Sequence, residues 1–360
     1  MKKTIAIVCS DIIRLGGIER TVCRLSESLI EFGEYEVIII SLNTSEGAPR
    51  YKTSPKVRLI HLSIKNSTSL SRRTFSYPEA IGRISEICRK HDIDIVMGTE
   101  TRLNILLRFV KGKNLIKIAC EHGNYNNAPF HTSLVRRFSY TKMDAVVLLT
   151  QRDAACYGFC KNTKVIPNAA PFIAKHLSDL NHNVAMSAGR FEKIKRFDVL
   201  IEAVSLIKDQ CPGWKFKIFG EGSEQKPLTD LIAGKRLEGI VELVPTVSDI
   251  EKEYCNSSIY AMSSKTEAFP MVLLEAKSCG LPVVSFDCPN GPLEIIRNGI
   301  DGLLVENGNV EALAQGMLKL IKDPLLRHKY GREAAKDAIE RFSPKHIFEM
   351  WEKLFDELKK

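Results

Sequence analysis

Two carboxylates, Glu267 and Glu275, bracket the apolar part of S-S-K-T-E-A-F-P-M-V-L-L-E-A-K-S-C-G-L-P at 263–282. A carboxylate removed from water is costly unless it is paired or hydrogen-bonded, so these two either face solvent or await a ligand. Pro270 suits the first position of a helix and Gly280 its end. That places Glu267 in the loop before the helix and Glu275 in its second turn. The backbone from Ala268 through Phe269, Pro270 and Met271 to Val272 then forms an open helix N-terminus, an anion site on physical grounds. Carboxylates on both sides would repel the anion itself. They suit hydroxyl groups attached to it, and a nucleotide sugar carries a ribose diol on one side of its diphosphate and a sugar on the other.

Other candidates stand where strands are expected to end. A-G-R-F-E-K-I-K-R at 188–196 sets Gly189, Arg190 and Lys195 after a strand, with cations able to neutralise a diphosphate, Arg190 as a fork and Lys195 as a point charge. F-G-E-G at 219–222 supplies Gly220 and Glu221, and Thr246 follows V-E-L-V-P at 241–245. Near the start, Gly16 and Gly17 stand at the mouth of a helix that runs to about Leu29. They lack the third glycine of a dinucleotide fingerprint, yet let backbone N–H groups approach a phosphate or sugar. E-H-G-N-Y at 121–125 brings His122 out of a strand's carboxyl end. D-I-D at 92–94 imitates a metal-binding pair, but Asp92 and Asp94 stand at the start of a strand, the wrong edge for a site. They read as a structural turn, and no metal is required.

The elements that must position these residues alternate from end to end. Short Val/Ile-rich runs fall at 4–9, 37–42, 57–62, 93–98, 116–121, 145–150 and 164–168, then at 184–190, 214–220, 241–245, 258–263, 282–287 and 302–305. Amphipathic stretches of helical length separate them. This predicts parallel sheets flanked by helices: an α/β chain of two doubly wound units facing across a cleft, with ligands outside the carboxyl ends of the strands. At 360 residues the chain is too long for one core. The expected division is 1–170 and 184–340, with 169–183 a linker. A last helix over 341–360 has an apolar stripe at Ile347, Trp351, Leu354, Phe355 and Leu358 and is expected to cross back to the first domain.

Composition excludes several classes. The 44% hydrophobic and 26% charged residues describe a globular chain rather than a disordered one, and no run reaches the about 20 apolar residues of a membrane span. The opening M-K-K-T-I-A-I-V-C-S-D lacks a cleavage site and reads as a buried first strand. Ten cysteines without paired metal spacing suit reduced thiols in the cytoplasm; Cys156 and Cys160 are expected as neighbours on one helix face. The net charge of +9 comes from the first half of the chain. Eight Lys/Arg and one acid, Glu121, occupy Arg102–Lys142, interleaved with Leu, Phe and Tyr, and R-R-T-F-S-Y at 72–77 adds a second basic stretch. That pattern suits peripheral contact with anionic lipid, on the inner face of the cytoplasmic membrane. A solvated basic face is the alternative. No nucleic-acid module is recognisable.

Assembled, these residues resemble glycosyltransferase family 4, retaining enzymes of the GT-B fold. The resemblance covers nearly the whole chain and is most specific over Ser263–Val305, in E-A-F-P-M-V-L-L-E and G-P-L-E-I-I-R-N-G-I-D-G-L-L-V. It implies that Arg190 and Lys195 bind the donor diphosphate and Glu275 the ribose hydroxyls. Glu267, with the amides of Phe269 to Met271, would bind the transferred sugar. Gly17 would approach the phosphate or sugar, and His122 would contact the sugar near the reacting centre. The implied reaction moves a hexose or N-acetylhexosamine from a nucleotide diphosphate sugar, UDP-linked on family frequency, to a glycan acceptor, lipid-linked in many relatives. The donor is a substrate, and no cofactor is called for. Where the family commonly has glycine after the first glutamate, this chain has Ala268, which would be strained if its φ were positive. Alternatives are an epimerase or phosphorylase on the same architecture, or a basic non-catalytic binding protein.

Overall fold

A computed structural model of the protein describes residues 2–43, 46–64, 70–125 and 129–358, and leaves the side chains of 70–76 undescribed. The basic stretch at 72–77 therefore lies outside the described side chains except for Tyr77. Two compact units emerge. Unit 1 comprises Met1–Ala169 with Pro344–Lys360, and unit 2 comprises Ala170–Ser343.

Unit 1 runs β1 (Lys3–Cys9), α1 (Gly17–Glu31), β2 (Tyr35–Ser41), β3 (Arg58–His61), α2 (Leu70–Lys90), β4 (Ile95–Gly98) and α3 (Thr101–Leu107). It continues through β5 (Ile116–Cys120), α4 (Phe130–Tyr140), β6 (Ala145–Leu148), α5 (Gln151–Ala155) and β7 (Thr163–Val165). All strands pair in parallel, in the order β3-β2-β1-β4-β5-β6-β7. Successive strand residues point to opposite faces, and here both faces are buried. Ala6 and Val8 join Ile38, Ile40 and Val96 in one core. Ile5, Ile7 and Cys9 join Ile39, Ile95 and Met97 in the other. The continuous apolar runs of the sequence are the consequence, as parallel sheets require.

Asp94 caps the start of this sheet: its Oδ2 accepts from the Thr4 amide at 2.8 Å. Asp92 takes a left-handed φ of 44° just after α2. The D-I-D pair is a structural corner, as its position at the strand start implied. The ten cysteines are free thiols. Because α5 ends at Ala155, with Cys156 as its cap, Cys156 and Cys160 do not share a helix face.

Unit 2 runs β8 (Val184–Ala188), α6 (Phe197–Ile207), β9 (Lys215–Phe219), α7 (Gln225–Gly234), β10 (Val241–Val244), α8 (Ile250–Cys255) and β11 (Ile259–Met262). Then come α9 (Met271–Ser278), β12 (Val283–Phe286), α10 (Gly291–Ile295), β13 (Gly302–Val305), α11 (Val310–Lys322) and α12 (Pro324–Phe342). Its strands are also parallel, in the order β10-β9-β8-β11-β12-β13. All thirteen stretches read as strands overlap observed ones. Residues 170–183 do not form a free linker. They pack on unit 2, with Ala170 and Leu180 buried and Ser178 Oγ donating to the Ser257 carbonyl at 2.5 Å.

An ion cluster fixes α9, with Lys277, Asp301 and Asp337 fully buried and Arg297 half-buried at its edge. Lys277 Nζ donates to the Ile295 carbonyl at 2.7 Å, to Asp301 at 3.1 Å and to Asp337, and Arg297 Nε closes the ring to Asp301 at 2.8 Å and Asp337 at 3.1 Å. Nothing in the spacing of these residues along the chain announces the cluster.

The final helix, α13 (Pro344–Glu357), belongs to unit 1. Its Ile347, Phe348, Trp351, Leu354 and Phe355 enter the core that also holds Val22, Cys23 and Leu29 of α1. Phe348 and Phe355 meet the Tyr35 ring at 6.5 and 5.7 Å. Burying this stripe is what holds α13, so Trp351→Ala should destabilise unit 1 by about 3–5 kcal/mol. Urea unfolding followed by far-UV circular dichroism measures the loss, and an unchanged midpoint would show that α13 contributes nothing.

Candidate active site

In each unit the chain winds outward from a central strand and then returns to start on its other side. The reversal falls between β1 and β4 in unit 1 and between β8 and β11 in unit 2. At such a switch point the loops leaving the two strands diverge, and a crevice opens at the carboxyl edge.

At the unit 2 switch point, the turn after β8 and the turn after β9 are zipped together by backbone. The Gly189 amide donates to the Phe219 carbonyl at 2.9 Å, and Phe191 to Glu221 at 2.8 Å. The approach is too close for side chains. A Cβ on Gly220 would lie 2.0 Å from the Gly189 carbonyl oxygen, and one on Gly222 would lie 2.4 Å from that of Phe191. Glycine is therefore demanded at 220 and 222. Gly189 has φ 158° but meets nothing closer than 3.5 Å, so space does not restrict it. Glu221 Oε1 accepts weakly from the Thr246 amide at 3.4 Å, and both residues are exposed at this edge.

Lys195 ends a single 3-10 turn, Lys193–Lys195. Ser263 Oγ bonds its carbonyl at 3.0 Å, and Lys265 N donates to Ile194 O at 2.9 Å, so the loop after β11 holds the loop after β8. The ammonium group of Lys195 meets Glu267 Oε1 at 2.6 Å, and Ser264 Oγ donates to that same oxygen at 2.7 Å. Both partners are half-buried, which strengthens the pairing over a surface ion pair. Arg190 does not join them. It is exposed, with its guanidinium 2.7 Å from Glu192.

Beyond Glu267 the condition that would strain Ala268 is not met. Ala268 does not have positive φ; the left-handed residue is Asn290, at φ 77°, which bridges to Glu267 from the other side. The glycine this loop needs is Gly291, where a Cβ would come within 3.0 Å of the Ala268 carbonyl oxygen and 2.3 Å of Pro270 Cδ. Alanine at 268 thus carries no backbone strain, because the close approach is made by the facing strand-to-helix turn. Pro270 is the N-cap of α9 rather than its first helical residue, with φ −72° and ψ 104°, and no side chain caps the helix. Phe269 is buried, while Met271 and Val272 of the first turn are half-buried.

Glu275 is 3% exposed and receives a hydrogen bond from the Tyr254 hydroxyl at 2.8 Å. Tyr254 was not a candidate on sequence grounds. It lies 21 positions upstream on α8, in E-K-E-Y-C, and only the packing of α8 on α9 brings it there.

In unit 1, Gly16 is the extended N-cap of α1 at φ −162° and Gly17 its first residue, with no side-chain cap. A Cβ on Gly17 would meet nothing within 4 Å, and one on Gly16 would meet only the movable Glu19 carboxylate. Neither glycine is forced by the fold. His122 follows β5 and is half-buried; burial pushes its imidazole down to about 4, so it is neutral at pH 7. It borders a cavity of about 480 Å³ at the switch point, together with Ser10, Arg14, Thr99, Glu100 and Arg102. Behind it Glu121 is buried and accepts from Thr101 Oγ1 at 2.9 Å, Asn104 Nδ2 at 3.3 Å and the Tyr140 hydroxyl. Burial raises its carboxyl pKa, and those donors oppose the rise. Among the described residues no cluster of three or more His, Cys, Asp or Glu is placed to hold a metal.

Comparison with known proteins converges on these two units. Residues 15–171 match the family described as Glycosyltransferase Family 4, and residues 169–337 match Glycosyl transferases group 1. The amylovoran biosynthesis glycosyltransferase AmsD of Erwinia amylovora is 30% identical over 96% of this chain and 97% of its own. An exopolysaccharide phosphotransferase of Streptomyces coelicolor is 33% identical over 75% of this chain, which there spans 29% of a longer protein. Among solved structures, TarM of S. aureus, in complex with fondaparinux, alpha-GlcNAc-glycerol and UDP, superposes with a TM-score of 0.80 at 17% identity, covering 98% of this chain and all of that one. That likeness fixes the fold as GT-B. With a relative of 30% identity along its whole length and the paired-glutamate loop in place, the chain belongs to glycosyltransferase family 4.

Proposed function

We propose that the protein is a retaining transferase of bacterial polysaccharide assembly that moves a hexose or N-acetylhexosamine from a UDP-sugar to a lipid-linked glycan. The observation that carries this reading is the Lys195–Glu267 pair at the unit 2 switch point, followed by the uncapped N-terminus of α9 and by Glu275. A cation, a helix dipole and two flanking carboxylates match a diphosphate with hydroxyl-bearing groups on both sides. Lys195 and the α9 amides stabilise the charge on the departing diphosphate. Glu267 takes hydroxyls of the transferred sugar, and Glu275 those of the ribose. Arg190 adds a second cation by leaving Glu192. In the reaction the anomeric carbon–oxygen bond to the diphosphate breaks, the acceptor oxygen bonds to the same face, and the acceptor proton passes to a departing phosphate oxygen. His122, being neutral, serves as a hydrogen-bonding group toward sugar hydroxyls.

A lipid-borne acceptor is supported by the outer face of α4. Phe130, Leu134 and Phe138, at four-residue spacing, are 80%, 53% and 60% exposed. Four residues is about one helical turn, so they form one apolar stripe. The Arg108 guanidinium stacks on Phe138 at 3.8 Å and that of Arg137 on Phe159 at 4.7 Å, while Lys111, Lys113 and Lys142 are exposed nearby in sequence. One cation of this segment is not part of the surface. Arg136 is buried, bonded to the Tyr125 carbonyl and the Tyr157 hydroxyl at 3.1 Å each. Glu121, the segment's one acid, is buried as well, so its exposed charges are all positive. Among the described residues no helix is long and apolar enough to cross a membrane.

Three measurements test the reading. In a thermal-shift screen, UDP should raise the unfolding temperature more than GDP or ADP, as a ligand of the native state must; no shift with any of the three sinks the donor assignment. Lys195→Ala should fold normally by circular dichroism and lose about 2.7–4 kcal/mol of transition-state stabilisation, roughly 100- to 1,000-fold in turnover. Near wild-type turnover would remove Lys195 from the site. Sedimentation with vesicles should show binding to anionic lipid that is lost on Phe138→Ser and in neutral vesicles, and equal binding to both compositions counts against the lipid surface.

A further inference from the structure

Two tyrosines lie buried beneath the donor site of unit 2, Tyr254 on α8 and Tyr260 on β11, with ring centroids 5.7 Å apart. Each hydroxyl ends on a different wall of the site. That of Tyr260 accepts from the Ala188 amide at 3.2 Å and faces the Ala188 carbonyl at 3.3 Å, immediately before Gly189 and Arg190. That of Tyr254 donates to Glu275 Oε2 at 2.8 Å, with the Val272 carbonyl more distant at 3.4 Å. A phenol has one proton to give, and the shorter distance and the carboxylate's charge direct it to Glu275. Burial and the Glu275 charge hold the Tyr254 hydroxyl well above the usual phenol range, so it is a donor at neutral pH.

We infer that Tyr254 is a positioning residue for the donor, orienting the Glu275 carboxylate toward the ribose diol of a nucleoside diphosphate. The inference rests on the ribose role of Glu275 in the reading above. It adds a residue that makes no contact with the ligand itself. Of the carboxylate's two oxygens, Tyr254 fixes Oε2, and one fixed oxygen with a known direction sets the plane of the group. Without the hydroxyl, Glu275 would turn toward whatever remaining donor satisfies it, and the ribose would meet a carboxylate of undefined orientation. The diphosphate contacts, which come from Lys195 and the α9 amides, should be untouched.

Isothermal titration of UDP and of 2′,3′-dideoxy-UDP into the wild type, Tyr254→Phe and Glu275→Gln separates the possibilities. The wild type should prefer UDP. Tyr254→Phe should weaken UDP binding by about tenfold, the lower end of what a hydrogen bond to a charged group is worth, while leaving the dideoxy analogue nearly unchanged. Adding Tyr254→Phe to Glu275→Gln should then alter the preference no further, because the phenol acts through the carboxylate. Turnover at saturating donor should change much less than KM, since the ribose contact is common to ground and transition states. A wild type that does not discriminate between the two nucleotides overturns the ribose role of Glu275 and this inference with it. A Tyr254→Phe variant that keeps the wild-type preference, or that weakens both nucleotides equally, overturns Tyr254 as positioning residue and leaves the donor reading standing.

Discussion

A strand buried on both faces has no side chain to spare for chemistry. Every residue of β1 from Thr4 to Cys9 is buried, the odd-numbered ones in one core of unit 1 and Ala6 and Val8 in the other. The same holds for β11 and β12, whose eight residues are all buried. Function in such a molecule is confined to the loops leaving the carboxyl ends. The sheet's contribution is to fix where those loops begin, and it does so within the 4.7–4.9 Å spacing of neighbouring strands. Lys195 and Glu267 meet because β8 and β11 are adjacent strands, although 72 positions separate the two residues.

That confinement explains which glycines matter. Gly220 and Gly222 are needed because two loops from adjacent strands must touch backbone to backbone, and Gly291 is needed because the Glu267 loop lies on the turn leading into α10. Gly16 and Gly17 are different. The fold would accept a side chain at Gly17, so nothing in the packing of unit 1 explains why the sequence leaves it bare.

What could be read from the chain alone follows from the range of the interactions involved. Strands were legible because two-sided burial writes itself into consecutive Val and Ile residues, and the last helix because its stripe repeats every three or four positions. Glu267 and Glu275 were legible because the helix between them is local and fixes their relation. The conformation at Ala268 depends on a distant partner: the positive φ belongs to Asn290, more than twenty residues away, in the turn that packs against it. Tyr254, Asp301 and Asp337 were out of reach because each acts on α9 across 18 to 60 positions of sequence. A linker was expected at 169–183 because the segment has no periodicity, yet irregular chain can pack by single anchors such as Leu180 and Ser178.

The basic segment of unit 1 shows why composition is a weaker guide than angle. Arg136 and Arg137 are adjacent, and a helix turns about 100° between neighbours. Arg136 points inward, where its guanidinium lies 3.9 Å from the Tyr125 ring and bonds to Tyr157, so its charge is spent on holding the loop after β5 against the core. Arg137 points outward with Phe138 and Leu134. The inward side of α4 also carries Tyr140, which bonds Glu121 beside His122. One helix therefore presents an apolar and cationic surface on one side and anchors the His122 loop on the other. Tyr140 links the inward side of α4 to a carboxylate that lines the cavity, and a count of positive charges along the segment contains none of that.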